Sequence, residues 1–324
     1  MVMEGKGKVV CVTGAGGFLA SWLVKLLLSD GYRVHGTVRD PNDEKNTHLK
    51  TLENAEENLR LFKAELLDYG SLSAAIAGCE GVFHIACPVP SSKVTSPENE
   101  MVVPAIDGTL NVLKASSEAK VRRVVMVSST GAVYVKPGWP EEDKIIDEEW
   151  WTDKEFCKQT ENWYCFSKTI AEEKGLDYAR ESGLDLVRVC PCLILGPMLQ
   201  PTLNASSSVL VRILKGVEDL TSHSLLDIVD VRDVASALLL LYDKAEATGR
   251  YICSSYTVKA SDYIDMLESM YPNYKYPKAP TEVDRDYVLS AEKLKQLGWK
   301  YRTLEESTKD AVDHLIKAGL ISEG

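Results

Sequence analysis

The sequence predicts an α/β protein built on a doubly wound parallel sheet with a smaller C-terminal lobe. Three features predict it. Short apolar β-type runs alternate with helix-patterned segments through most of the chain. A glycine cluster stands between the first strand and the first helix. The C-terminal third loses the rhythm and becomes rich in Pro, Ser and Asn near 200–208.

Each element follows from local pattern. Residues 8–13 form an apolar β run, 18–28 carry a helical apolar period, and 31–38 return to strand, so the first unit is βαβ. Strands are expected near 58–63, 81–85, 123–128 and 184–189. Helices are expected near 71–76, 98–119 and from Asn162 onward. In the last third, 209–215 reads as a short helix and 227–231 and 251–254 as strands. Further helices fall near 261–270, 291–297 and 304–318. The expected division is a Rossmann-type nucleotide-binding domain over 1–192 plus strands near 227–254. A partly interleaved lobe over 193–226 and 255–324 then closes the carboxyl edge of the sheet and binds substrate.

Composition narrows the function. With 324 residues and 45% apolar content, the chain can bury a sizeable core. No apolar run reaches the length of a membrane span, and no secretory leader pattern precedes the first strand, so a cytoplasmic location is expected. A net charge of -11 argues against nucleic acid and anionic membranes as partners. The expected partner is a small molecule, and the expected state a monomer or weak dimer. The eight cysteines sit in apolar segments and read as reduced core thiols. Cys190-Pro191-Cys192 lacks ligand spacing, so no metal site is expected. Cys157 and Cys165 flank the Tyr164 motif. They read as inert thiols or, more sharply, as a redox-sensitive pair.

The stretch Thr13-Gly14-Ala15-Gly16-Gly17 has the context of a phosphate-binding turn. Gly14 permits a tight turn. Gly16 and Gly17 let backbone N–H groups approach a pyrophosphate at a helix N-terminus. The second strand ends at Arg39-Asp40. Asp40 could bind ribose hydroxyls, but Arg39, with Lys45 as a second cation, suits a 2′-phosphate, so NADP(H) is the expected cofactor. Asp68 is placed to meet the adenine, or to cap the following helix, or both.

Tyr164 and Lys168 stand four apart at the start of a helix and so share a face. An ammonium beside a phenol favours the phenolate, so Tyr164 is expected to titrate below its ordinary value and to exchange a proton with a carbonyl or alcohol. Ser128, Ser129 and Thr130 end a central strand at the same crevice. Any of their hydroxyls could stabilise charge on a substrate oxygen.

Together these motifs resemble an extended short-chain dehydrogenase/reductase. Thr-Gly-x-x-Gly-Phe, Val-Arg-Asp-Pro, Phe83-His84-Ile85-Ala86, Ser-Ser-Thr-Gly-Ala-Val-Tyr, Tyr-x-x-x-Lys and Pro191-x-x-x-x-Gly196-Pro197 occur in order over nearly the whole chain. Within that family the chain is similar to the plant cinnamoyl-CoA reductases, dihydroflavonol reductases and short-chain cinnamyl-alcohol dehydrogenases. The resemblance implies Ser129 as catalytic serine, Tyr164 as proton donor, and Lys168 as the residue that tunes the tyrosine and holds the nicotinamide ribose. Phe18, Leu19, Leu67, Ala86 and Pro191 complete the implied cofactor contacts.

Some positions depart from cinnamoyl-CoA reductases. Phe166-Ser167 replaces their Tyr-Gly before the lysine. Val209 and Arg212 stand where they place a His and a Lys for coenzyme A, although Arg250 matches a third cation. These departures favour NADPH-dependent reduction of hydroxycinnamaldehydes such as coniferaldehyde to alcohols. The alternatives are reduction of hydroxycinnamoyl-CoA thioesters, or of another aromatic aldehyde or flavonoid ketone. A catalytically silent NADP-binding sensor or scaffold is the alternative of a different class. Cys87-Pro88, Tyr134, Met198, Arg250 and Tyr287 are the expected substrate contacts.

Overall fold

The computed structural model describes residues 5, 7–87, 95–138, 144–218, 220, 225–279 and 287–322. The strands are β1 (Val9–Val12), β2 (Arg33–Val38), β3 (Leu59–Lys63), β4 (Gly81–His84), β5 (Arg123–Val127), β6 (Lys144–Ile146), β7 (Leu186–Pro191), β8 (Leu193–Leu195), β9 (Leu225–Asp230), β10 (Arg250–Cys253), β11 (Tyr256–Lys259) and β12 (Tyr287–Leu289). The helices are α1 (Phe18–Ser29), α2 (Thr47–Lys50), α3 (Ala55–Asn58), α4 (Tyr69–Ile76), α5 (Val103–Glu118), α6 (Lys154–Gln159), α7 (Trp163–Ser182), α8 (Ala205–Leu214), α9 (Val231–Asp243), α10 (Ala260–Met270), α11 (Glu292–Gln296) and α12 (Leu304–Lys317).

Seven parallel strands form the central sheet in the order β10-β7-β5-β4-β1-β2-β3. This is the doubly wound order, with its switch between β1 and β4. Helices α1 and α9 pack together on one face, and α4, α5 and α7 on the other. Both faces are therefore covered, which is why β4 and β5 are buried at every residue and read as continuous apolar runs. Alternation still decides the layer. Val10 and Val12 join one core and Cys11 between them joins the other.

Several expectations change in detail. Over 98–119, regular α winding starts only at Val103, after a wider turn across Glu98–Val102. The strand expected near 227 does not extend the central sheet. As β9 it pairs parallel with β8 and antiparallel with β11 in a separate three-stranded sheet, so of the later strands only β10 joins the nucleotide-binding layer. Helix α9 was not expected, and its start is fixed by Asp230, whose side chain accepts from Arg232 N. Helix α6, capped by Asp153, and the parallel pair β6–β12 are likewise additional.

Asp230 also ties the start of α9 to α12. Its buried carboxylate accepts from Arg232 Nε at 2.9 Å, Arg232 Nη2 at 2.8 Å and Ser307 Oγ of α12 at 2.7 Å. Asp230→Ala would remove the α9 cap and one of the two carboxylates on Arg232, but Asp310 Oδ2 still accepts from Nη1 at 2.7 Å, so the loss is about 2 kcal/mol, below the roughly 3–5 kcal/mol of a fully stranded charge. Asp230→Ala should lower the unfolding free energy by about 2 kcal/mol in urea denaturation. A change below about 1 kcal/mol would show that the pair is not holding α9 to α12.

Candidate active site

The glycine turn is held by a threonine at the end of β1. Thr13 Oγ1 accepts from Ile85 N and Ala86 N, both at 3.0 Å, and lies 3.1 Å from His84 Nδ1. With both acceptor positions filled, the hydroxyl donates its own proton to Nδ1. The His84 proton then sits on Nε2 and points at Thr109 Oγ1, 3.2 Å away. Burial, with the Lys168 charge nearby, pushes His84 down to about 3, so the ring stays neutral. Gly14 has φ +67 and donates its N–H to Thr37 Oγ1 at 3.0 Å. A Cβ there would stand 3.0 Å from Ala86 Cβ.

At Gly16 a Cβ would collide with Asn46 Oδ1. Asn46 is buried and bonds Asp40 O through Nδ2 at 2.8 Å. Asn46 and Thr37 escaped the sequence reading because nothing in their local pattern marks them as neighbours of the turn. Gly17 begins α1 without any side-chain cap, and Phe18 and Leu19, buried in its first turn, pack into the core. An uncapped helix N-terminus behind glycines that admit close approach is a fit for a pyrophosphate. Arg39 is exposed just beyond β2, while Lys45 is held by Asp43 at 2.6 Å. Asp68 caps α4 through Ser71 N at 3.2 Å, and Leu67 beside it is exposed. Pro191 ends β7 opposite Cys253 of β10.

The carboxyl end of β5 meets the start of α7. Asn162 caps α7 by accepting from Cys165 N, which puts Tyr164 in the first turn and Lys168 one turn on. Gly131 lets the two elements approach. A Cβ there would lie 3.3 Å from Ser129 Oγ and 3.6 Å from Tyr164 Cε1. Lys168 Nζ donates to Val127 O at 3.1 Å. Ser129, Tyr164 and Lys168 therefore converge, and Cys87 lies beside both Tyr164 and Lys168. Pro88 lies outside the described residues.

The expected drop in the tyrosine's pKa is not what the site produces. Burial raises the Tyr164 phenol above its ordinary value, outweighing the Lys168 charge and the Ser129 hydroxyl, which both favour the phenolate. The residue stands as a protonated acid at neutral pH.

The expected substrate contacts divide. Tyr134 and Tyr287 pair with ring centroids 5.8 Å apart, and the Tyr287 hydroxyl donates to Asp227 Oδ2 at 2.8 Å. Asp227 also accepts from Thr257 Oγ1 at 2.6 Å, and burial pushes it up to about 6. Met198 is buried and borders a cavity of about 330 Å³ between Thr47 and His48 of α2 and His314 of α12, with Gln200. Arg250 is not free to meet a substrate. It is buried on β10 with Nη2 on Glu172 Oε2 (2.9 Å) and Ala132 O (2.9 Å) and Nη1 on Trp150 O. Its guanidinium covers the Trp151 ring at 4.0 Å. Arg212 is exposed and held bidentately by Glu218. Cys157 and Cys165 are free, buried in one small cluster, and pushed up by burial to about 11 and 12, so both are protonated thiols. Among the described residues no cluster of metal-ligating side chains occurs, and no helix is long and apolar enough to cross a membrane.

With fold and site in hand, comparison with known proteins defines the class. Residues 10–253 match the NAD dependent epimerase/dehydratase family, and the chain belongs to that family. It is 46% identical over 317 residues to cinnamoyl-CoA reductase 1 of Petunia hybrida, covering 97% of this chain and 93% of that protein. It is 43% identical to tetraketide alpha-pyrone reductase 1 of Arabidopsis thaliana, covering 98% of each. Among solved structures, vestitone reductase from alfalfa superposes with a TM-score of 0.84 at 31% identity, covering 97% of this chain and 99% of that one. Yeast methylglyoxal/isovaleraldehyde reductase Gre2, complexed with NADPH, gives 0.84 at 26% identity, with 97% and 100% coverage. The protein is an NADP(H)-dependent oxidoreductase of the short-chain dehydrogenase/reductase type.

His84 and Asp227 give the fold opposing acid responses. His84 is depressed, so its stabilisation is complete above the unfolded value near 6.5 and falls as pH drops toward 3. Asp227 is raised, so protonation below about 6 favours the folded state. Between pH 7 and 5 the first effect is about 2 kcal/mol of loss and the second about 1 kcal/mol of gain. Urea unfolding at both pH values should therefore show Asp227→Asn losing stability more steeply than the unsubstituted protein, and His84→Gln less steeply. Equal slopes in all three would contradict these assignments.

Proposed function

We propose that this chain reduces the carbonyl of hydroxycinnamoyl-CoA thioesters to aldehydes with NADPH, within phenylpropanoid metabolism, using Ser129, Tyr164 and Lys168. Sequence alone favoured the hydroxycinnamaldehydes. The full-length likeness to cinnamoyl-CoA reductases, at 42–46% identity, moves the reading to the thioester. The observation that carries the chemistry is the convergence of a serine hydroxyl, a protonated phenol and an ammonium beside the glycine turn.

NADPH, bound along the turn and crevice, supplies the hydride. Thr13, Gly14, Gly16, Gly17, Phe18 and Leu19 line the pyrophosphate end, and Arg39 and Lys45 are the candidate partners of the 2′-phosphate. Leu67 and Asp68 sit toward the adenine, and Ala86 and Pro191 toward the nicotinamide. Ser129 donates to the substrate oxygen as charge gathers there. Tyr164 gives that oxygen its phenolic proton, and Lys168 stabilises the phenolate left behind. The resulting hemithioacetal expels the coenzyme A thiol and leaves the aldehyde. Tyr134 and Tyr287 form an aromatic wall that suits a planar ring.

A second reading, reduction of the hydroxycinnamaldehyde itself, is favoured by one specific feature. The two arginines aligned with a coenzyme A site are engaged elsewhere, Arg250 by Glu172 and Arg212 by Glu218. NADPH oxidation measured in parallel with feruloyl-CoA and coniferaldehyde separates the two. The proposal expects the higher kcat/KM with feruloyl-CoA. A clear preference for coniferaldehyde would overturn it in favour of the second reading.

A further inference from the structure

One buried carboxylate lies behind the reacting groups, and neither family likeness nor local motif assigns it a task. Glu172 follows Lys168 by one turn of α7 and its side chain is fully enclosed. Ser128 Oγ donates to Oε2 at 2.6 Å, and Arg250 Nη2 donates to the same oxygen at 2.9 Å. Arg188 Nη1 reaches Oε1 at 3.3 Å. Arg250 Nε is 2.7 Å from Oε1, an ion-pair contact whose N–H is not aligned for a hydrogen bond. Arg250 Nη2 also holds Ala132 O at 2.9 Å.

The turn that carries Ser129 is therefore gripped on both sides. Ser128 before it is bonded to Glu172, and Ala132 after it is bonded to the arginine that Glu172 holds. The same carboxylate rides on the helix that presents Tyr164 and Lys168. A charge-assisted bond in a dry interior is short and directional. It fixes the distance between two elements that must hold a hydroxyl and a phenol on one substrate oxygen, with an ammonium beside the phenol. Misplacement of such groups by a fraction of an ångström is expensive in rate.

We propose that Glu172, acting through Ser128 and Arg250, is a positioning residue that sets Ser129 against Tyr164 and Lys168. The proposal rests on the catalytic assignment made above, but not on which carbonyl compound is reduced. Loss of the Glu172 grip leaves the cofactor turn at Thr13–Gly17 untouched, so its effect falls on turnover.

The test uses Ser128→Ala, which removes one hydroxyl and leaves the ion cluster intact, and Glu172→Gln, which keeps the shape and discharges the carboxylate. Ser129→Ala is measured beside them. Turnover is followed as NADPH oxidation with whichever of feruloyl-CoA or coniferaldehyde the unsubstituted protein consumes faster. It is normalised to sites that bind NADPH by fluorescence titration. Ser128→Ala should lower kcat by about tenfold, with KM and the NADPH Kd within about twofold. Glu172→Gln should lower kcat further, and if it does not fold, Ser128→Ala alone decides. If Ser129→Ala collapses turnover while Ser128→Ala keeps kcat within twofold, the positioning role is wrong and the catalytic assignment stands. If Ser129→Ala itself keeps kcat, both fall. A Ser128→Ala protein that loses only thermal stability would also overturn the proposal, because a purely structural contact has that signature.

Discussion

The structure depends on a carboxylate that water cannot reach. An isolated charge in such a place would be prohibitive, and Glu172 is tolerable only because two guanidiniums and a hydroxyl converge on it. Those donors come from the residue that follows β5 and from β7 and β10, three adjacent strands of the central sheet, while the acceptor comes from the helix laid across them. The cost of burying the ion is thus converted into registry between α7 and the sheet. Trp151 adds its ring face to Arg250.

The cofactor side has an equivalent device built from neutral groups. Thr13 joins the end of β1 to the end of β4 across the topological switch, and His84 extends the connection to α5 through Thr109. Each polar atom in that chain has a partner, so its burial is affordable. Lys168 lies close enough to His84 to depress its protonation further, which places the two devices in one electrostatic neighbourhood. The glycine turn and the Ser129–Tyr164–Lys168 cluster are therefore set by separate networks that meet near Lys168.

Much of this was legible in the sequence, and the rest was hidden for identifiable reasons. The βαβ start, the glycine turn and the Tyr164–Lys168 pair are encoded within a few residues, where period, spacing and turn chemistry act directly. Helix α9 was hidden because Val231, its first residue, reads as the last residue of the strand expected at 227–231, and only the Asp230 cap marks the boundary. Arg250 is read from sequence as a substrate contact because the carboxylate that engages it lies 78 residues away in the chain. The Tyr164 phenol was expected to be acidified by its lysine, since sequence shows the lysine but not the burial that outweighs it. Val209 and Arg212 were read as a weakened thioester site. The likeness to cinnamoyl-CoA reductases, by contrast, runs over almost the whole chain.

The central claim is that Tyr164 supplies the proton from a phenol kept protonated by burial. It is tested most directly by the pH dependence of single-turnover NADPH oxidation in the unsubstituted protein and in Tyr164→Phe, with the faster of the two carbonyl substrates. The account predicts a rate that holds level through neutral pH and falls only as the phenol ionises in the alkaline range. Tyr164→Phe should be slower by at least about a hundredfold while still binding NADPH. A break near neutrality, or a Tyr164→Phe protein that turns over at close to the normal rate, would contradict it.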